Sequence, residues 1–382
     1  MKGSELLLIT ELFLPTKGGT AVWFDEVYRR LGNKNIHILT ASVPGSEEHD
    51  REHPNNVIRV DLQRVRWLKP ESLLMYIRLL LHAFKICFSH KIQVIHAGRV
   101  LPEGLVAIIA GKIFSIKTVI YAHGEEITTW RQAAKFKAMS FAYRKADKVI
   151  ANSEFTRDEL LKLGVMAERI CLVHPGVDID TFRSGLETIK QRELIKLQAE
   201  QNLILSVGRL SRRKGFDQVI KSLPSLIDKG FDVHYAIVGL GEDLSYLKSL
   251  AESCGVTDRV HLLGHVEAAD LPHWYNACDI FAMPNREING DTEGFGLVFL
   301  EAAACGKTVL AGLSGGTGSA VIDGVSGLRI DGSVLASVES GLAKLLGDES
   351  VRTKLEQQGM LRARSEFSWA AVASRTEQEV GQ

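Results

Sequence analysis

Asp291-Thr292-Glu293-Gly294-Phe295-Gly296-Leu297-Val298-Phe299-Leu300-Glu301-Ala302-Ala303-Ala304-Cys305-Gly306 is the stretch on which the reading of this 382-residue chain turns. Glu293 and Glu301 stand eight residues apart, separated by a glycine turn and an apolar, helix-compatible run. Glycines at a loop-to-helix junction let the backbone come close to a ligand, and a helix start offers unpaired N–H groups to an anion. The spacing predicts one acid in the loop and the other two turns down a helix, holding opposite ends of a phosphate-bearing ligand. A surface loop capping a core helix, with Glu301 solvated, fits the same residues equally.

Working outward, short apolar runs bounded by turn residues recur on both sides of this stretch. Strands are predicted over 5–10, 36–40, 57–61, 94–97, 118–122, 148–151 and 170–173, and again over 203–207, 234–238, 260–263, 280–283, 308–311 and 327–330. Helical stretches alternate with them, which implies doubly wound parallel sheets. The polar segment from Asp178 to Asn202 separates the two series and predicts a domain boundary. The expected division is 1–180 and 181–360, with a last helical stretch, 361–382, crossing back to the first domain.

Formal net charge is zero, which argues against a dedicated nucleic-acid binder. Residues 1–180 carry 25 Lys and Arg against 20 Asp and Glu, an excess of +5, and the remainder is −5. A basic first half suits an anionic acceptor or a membrane surface, or is ordinary variation. The five widely spaced cysteines read as buried thiols of a reducing compartment, not as a disulfide framework or a zinc site. With no transmembrane-length apolar run, a cytoplasmic protein is expected, peripheral on the inner face of the plasma membrane if the basic half docks there.

Other stretches speak to ligands. Gly18-Gly19, between the first strand and a helical pattern, suits phosphate approach, although a tight turn needs the same residues. Arg209 and Lys214 follow the first strand of the second series, where an anionic ligand binds a parallel sheet, while Arg212 and Arg213 fit a solvated basic loop better. Val238-Gly239-Leu240-Gly241 lacks the third glycine of a dinucleotide fingerprint and reads as a turn. On the stretch 72–89, Arg78, His82, Lys85 and Ser89 make a polar stripe on a mostly apolar helix. With Arg64, Arg66 and Lys69 beside it, the stripe suits anionic lipid headgroups, and packing against a sheet suits it as well.

Taken together, these residues resemble the retaining, nucleotide-sugar-dependent glycosyltransferases of family four, which have the two-domain GT-B fold. The resemblance spans essentially the whole chain, and bacterial mannosyl- and hexosyltransferases acting on phosphatidylinositol mannosides or exopolysaccharide intermediates look most similar. It rests on Glu293…Glu301 in its E-G-F-G context, Gly18-Gly19, Arg209 with Lys214, and His123-Gly124. The segment Pro175-Gly176-Val177-Asp178…Phe182 matches as well. One departure stands out: where many relatives have Pro-Glu after a Ser-Gly-Gly turn, this chain has Gly318-Ser319, which puts the rigidity of that loop in question.

The resemblance implies a GDP- or UDP-sugar donor, with GDP-mannose favoured, and a glycan or lipid-linked acceptor. Glu301 would accept from the ribose diol. Arg209 and Lys214 would neutralise the diphosphate with the backbone of Gly18, Gly19 and the helix start at Leu297. Glu293, with Gly294, Phe295 and Gly296, would grip the sugar, Gly264-His265-Val266 would frame the nucleobase, and His123 would orient the reactants. Catalysis is expected to need no metal or other cofactor, with attack from the leaving-group face in a cleft between domains. Two alternatives share the architecture: a non-hydrolysing sugar-nucleotide epimerase and a catalytically silent nucleotide-sugar-binding module.

Overall fold

The computed structural model describes residues 5–32, 35–64, 71–130 and 132–380, so Arg66 and Lys69 of the basic stripe lie outside the described residues. The chain divides into two units, Met1–Pro175 with Trp369–Gln382, and Gly176–Ser368.

In the first unit the strands are β1 (Glu5–Ile9), β2 (Ile36–Ala41), β3 (Asn56–Val60), β4 (Ile92–Ala97), β5 (Lys117–Ala122), β6 (Lys148–Ala151) and β7 (Ile170–Leu172). They pair in the order β3-β2-β1-β4-β5-β6-β7, every pairing parallel. Helices cover both faces, so these strands read as continuous apolar runs. Along β1, Leu6 and Leu8 enter one core while Leu7 and Ile9 enter the other.

The second unit repeats the plan with β8 (Asn202–Val207), β9 (Val233–Val238), β10 (Val260–Gly264), β11 (Ile280–Met283), β12 (Thr308–Gly312) and β13 (Leu328–Ile330). Their order is β10-β9-β8-β11-β12-β13, again parallel throughout. Each sheet therefore has a point where strand order reverses, between β1 and β4 and between β8 and β11. In open α/β sheets ligands bind outside the carboxyl ends of the strands at such points.

The division falls just after Pro175, ahead of the polar segment on which the sequence pattern placed it. Sparse apolar residues anchor that segment to the second unit: Val177, Ile195 and Leu197 enter its core, and the Val177 N–H donates to the Phe367 carbonyl at 2.8 Å. The final helical stretch is two helices, Glu349–Glu366 and Trp369–Val380. The break at Phe367-Ser368 separates two destinations, since Phe367 is buried in the second unit's core and Trp369 in the first unit's.

Candidate functional site

In the second unit, the loop leaving β8 carries Arg209 and then a single helical turn, Arg212–Lys214. Lys214 Nζ lies 2.5 Å and Arg213 Nη1 3.0 Å from Glu293 Oε2. All three side chains are largely buried, and Arg213 also reaches the exposed Asp291 at 3.2 Å. Burial pushes the Glu293 carboxyl up, but the two cations outweigh it together and hold the group below the usual carboxylate range.

Arg213 is thus part of the charged cluster, contrary to its reading as a solvated residue. Arg212 and Arg209 are the outward pair. Arg212 stacks on Tyr246 at 3.6 Å and meets Asp243, while Arg209 is 75% exposed and pairs with Glu242 at 3.1 Å. No local signal in the sequence singles out Arg213, which is the middle residue of the short turn Arg212–Lys214 and shares its charge with both neighbours.

The loop 284–296 leaves β11 beside this cluster. Gly296, at φ +92°, precedes the helix Leu297–Ala304, and a Cβ there would sit 2.5 Å from the Phe299 ring. Phe295 is buried against Phe367, so its side chain belongs to the core and only its backbone faces the loop. Leu297 packs partly against the same core.

Glu301 sits on this helix, and its Oε2 accepts from the buried Tyr275 hydroxyl at 2.6 Å. Burial lifts the Glu301 carboxyl to about 6, although the tyrosine's donation opposes it. Tyr275 comes from the separate helix Leu271–Ala277, 26 residues upstream, and sequence spacing gave no hint of it.

The loop after β12, where Pro-Glu is replaced, is braced by other means. Gly316 N–H donates to the Glu293 carbonyl at 2.7 Å, Thr292 and Ser314 hydroxyls meet at 2.6 Å, and Asn285 Nδ2 donates to the Ser314 carbonyl. The approach is so close that a Cβ on Gly315, whose φ is +70°, would lie 2.2 Å from the Glu293 carbonyl oxygen. Backbone and side-chain contacts together thus hold this loop against the one that carries Glu293.

Gly264 ends β10, and His265 and Val266 follow it. His265 is exposed and 3.4 Å from Glu267, and with Val266, Leu263, Lys190 and Trp274 it lines a cavity of about 230 Å³. Asp178-Ile179-Asp180 has the Asp-x-Asp spacing that metal-dependent transferases use. Its first carboxylate is committed to a local turn, accepting from the Asp180 and Thr181 N–H groups and the Thr181 hydroxyl.

In the first unit, Gly18 precedes the helix Gly19–Leu31, and the space that a Cβ on Gly18 would enter is open. His123 follows β5. Its Nε2 lies 2.8 Å from the Gly98 carbonyl, which can only accept, so Nε2 carries the proton and Nδ1 remains an acceptor in the neutral ring. The His123 N–H donates to Glu126, its carbonyl accepts from Asn152, and its ring meets Trp23 and Phe24 edge-on. Glu103, missed in the sequence, is fully buried beyond β4. It accepts from the Glu11 N–H at 2.9 Å, and burial lifts its carboxyl to about 7.

Residues 17–181 match the model described as Glycosyltransferase Family 4, and residues 187–362 match that described as Glycosyl transferases group 1. A Mycolicibacterium smegmatis GDP-mannose-dependent alpha-(1-6)-phosphatidylinositol monomannoside mannosyltransferase is 28% identical, across 97% of this chain and 96% of its own. A GDP-mannose-dependent monoacylated alpha-(1-6)-phosphatidylinositol monomannoside mannosyltransferase of Corynebacterium glutamicum is also 28% identical, over 97% and 96%. Among solved structures, Anabaena HepE in complex with UDP superposes with a TM-score of 0.83 at 20% identity, over 99% of both chains.

Proposed function

The chain belongs to the nucleotide-sugar-dependent glycosyltransferases of group 1, with the GT-B fold, and from that premise we propose that it moves a mannosyl group from GDP-mannose to a lipid-linked acceptor, with retention and without a metal. The observation that carries this reading is the Arg213–Lys214–Glu293 cluster at the strand-order reversal of the second unit. GDP-mannose is favoured because two relatives aligned over nearly the whole chain are named for it.

In this reading the leaving diphosphate lies against Lys214 and Arg213, and Arg209 joins it. Releasing Arg209 from the exposed Glu242 takes little, whereas Lys214 and Arg213 are already fixed in place. Both buried cations bond Oε2 of Glu293, which leaves Oε1 for a sugar hydroxyl. Glu301, its Oε2 held by Tyr275, accepts from the ribose diol. In the second unit the Gly264–Val266 turn with its cavity frames the base, while in the first unit the open space at Gly18 suits the approach of a ligand phosphate. The bond from the anomeric carbon to the phosphate oxygen breaks and the bond to the acceptor oxygen forms on the same face. The acceptor's proton passes to the departing phosphate. His123, with Nε2–H on Gly98, offers Nδ1 to a sugar hydroxyl and orients it.

A lipid-linked acceptor also suits the first unit's surface. The helix Leu73–Ser89 buries Met75, Leu79, Ala83 and Ile86 and leaves Ile77, Leu81 and Phe88 in solvent, Phe88 86% exposed. The intended polar stripe is partly spent, because Arg78 pairs with Asp61 and His82 donates to the Arg78 carbonyl. Ile109 and Ile113 on the next packed helix are exposed as well, beside a cavity of about 470 Å³ edged by Lys112, Lys117 and Lys145. Exposed apolar side chains together with surface lysines on one unit are what peripheral attachment to an anionic bilayer needs. Among the described residues no helix is long and apolar enough to cross a membrane.

Calorimetric titration with GDP and UDP, first in chelator and then with magnesium, tests the donor. Tight binding of GDP in chelator is expected. Preference for UDP would replace the donor, and strict dependence on magnesium would remove the metal-free mechanism. Co-sedimentation with anionic and zwitterionic vesicles tests attachment: Leu81→Glu with Phe88→Glu should abolish pelleting with anionic vesicles while GDP affinity is kept.

A further inference from the structure

At the opposite, amino-terminal edge of the first sheet, three ligand-type side chains from distant parts of the chain converge. Glu5 is the first residue of β1, His37 the second of β2, and His90 caps the helix Leu73–Ser89 two residues before β4. Register pairs Leu7 with His37, so Glu5, two residues before Leu7, and His37 face the same side, the side on which that helix packs. One ligand atom from each of the three lies within 4.8 Å of the others.

We propose that Glu5, His37 and His90 form a binding site for a divalent transition-metal ion of the zinc class. His37 is 3% exposed, yet its Nε2 has no hydrogen-bond partner among the described residues, and the same holds for Glu5 Oε2. Leaving a buried imidazole nitrogen unpaired costs free energy that a shared cation would recover. The two imidazole rings approach to 4.1 Å between centroids, and His90 Nδ1 lies 3.8 Å from Glu5 Oε2.

Two imidazoles and a carboxylate select zinc-like ions over magnesium or calcium, and three protein ligands leave a position for water. Bonds of about 2.0–2.1 Å in a tetrahedron place ligand atoms about 3.4 Å apart. Glu5 and His90 are both partly exposed and can close the remaining distance by rotation about their side-chain bonds. The ion would staple β1, β2 and the helix end together on the edge away from the strand-order reversal, so it would stabilise the unit without entering the transfer chemistry.

The untagged full chain, stripped with chelator, is titrated with Co²⁺ and followed by visible absorption. One equivalent should bind with a d–d spectrum, zinc should displace it and magnesium should not. E5Q and H90A, both at partly exposed positions, should each weaken binding at least tenfold while GDP affinity stays unchanged, and H273A should behave as the parent chain. H37A should abolish the spectrum, and if it fails to fold the other two variants decide. Equal Co²⁺ affinity in E5Q, H90A and the parent chain, or no d–d spectrum at one equivalent, would overturn the site.

Discussion

Tyr275→Phe tests the donor site at its least visible contact. The ring is fully buried and Phe keeps it, so the change removes one hydroxyl, which donates to Glu301 Oε2, 2.6 Å away. If Glu301 accepts from both hydroxyls of the ribose diol, the ionised carboxylate binds it more strongly than the neutral acid, which turns one oxygen into a donor. Donor affinity is then complete above the carboxyl's midpoint of about 6 and is lost as the pH falls through it. A hydrogen bond to a charged group contributes about 1.5–3 kcal/mol, and a tenfold change in proton affinity is 1.36 kcal/mol. Removing the hydroxyl therefore moves the midpoint from about 6 to between about 7 and 8. With a midpoint near 7.5 the ionised fraction at pH 6.5 falls from about three quarters to about one tenth, so affinity drops roughly eightfold.

The assay is calorimetric titration of parent, Y275F and E301Q with GDP from pH 5.5 to 9. The nucleotide's own phosphate titration is common to all three and cancels in the ratios. Parent and Y275F should diverge near pH 6.5 and converge to within about twofold at pH 9. E301Q should be weak throughout, with no midpoint of its own. Parallel curves for parent and Y275F, or an E301Q that binds as tightly as the parent, would remove Glu301 from the site.

Arg213→Ala should weaken GDP binding by about one to two orders of magnitude, as the loss of a charge-assisted contact does, and lower the Tm because Glu293 keeps one cation fewer. Arg209→Ala should weaken GDP with an unchanged Tm, since its partner Glu242 is exposed; equal Tm losses in the two variants would contradict this division. His123→Ala should lose turnover while keeping GDP affinity, and a matched loss of both would make it a donor-binding residue instead. Glu103→Gln should flatten the pH dependence of stability. The native carboxyl, lifted to about 7, holds a proton that the unfolded chain releases near 4.5, so stability is full below 4.5 and declines as pH rises to 7. That decline is about 3 kcal/mol in the parent, and urea midpoints with identical slopes in E103Q would refute it.

Much of the architecture was legible because buried parallel strands are written as uninterrupted apolar runs. Glu5–Ile9 and Ile280–Met283 stand out from their surroundings before any pairing is known. The domain boundary was less legible. The stretch 178–202 is polar on average, and a few spaced residues such as Val177, Ile195 and Leu197 decide where it packs. Average composition cannot register so sparse an anchor. The break at Phe367-Ser368 was hidden for a related reason, since both Phe367 and Trp369 are apolar and only their separate cores reveal that one helix is two.

The charged cluster shows where local reading fails and why. Four cations stand at 209, 212, 213 and 214, and sequence gives each the same charge. What distinguishes them is the acid each one meets, and Glu242, Asp243 and Glu293 come from other loops. Strand order brings those loops to the carboxyl ends of β8, β9 and β11, so only the folded sheet sorts the cations into two exposed and two buried. Glu293 was found because its spacing from Glu301 is local, yet its partner Arg213 was passed over because 80 residues separate them. Burying two cations on one carboxylate costs desolvation that a well-packed apolar cluster would not. If the proposed donor lies there, that cost fixes positive charge before a diphosphate develops its own, and Arg213, more than Arg209, is then the cation whose removal should be felt in turnover.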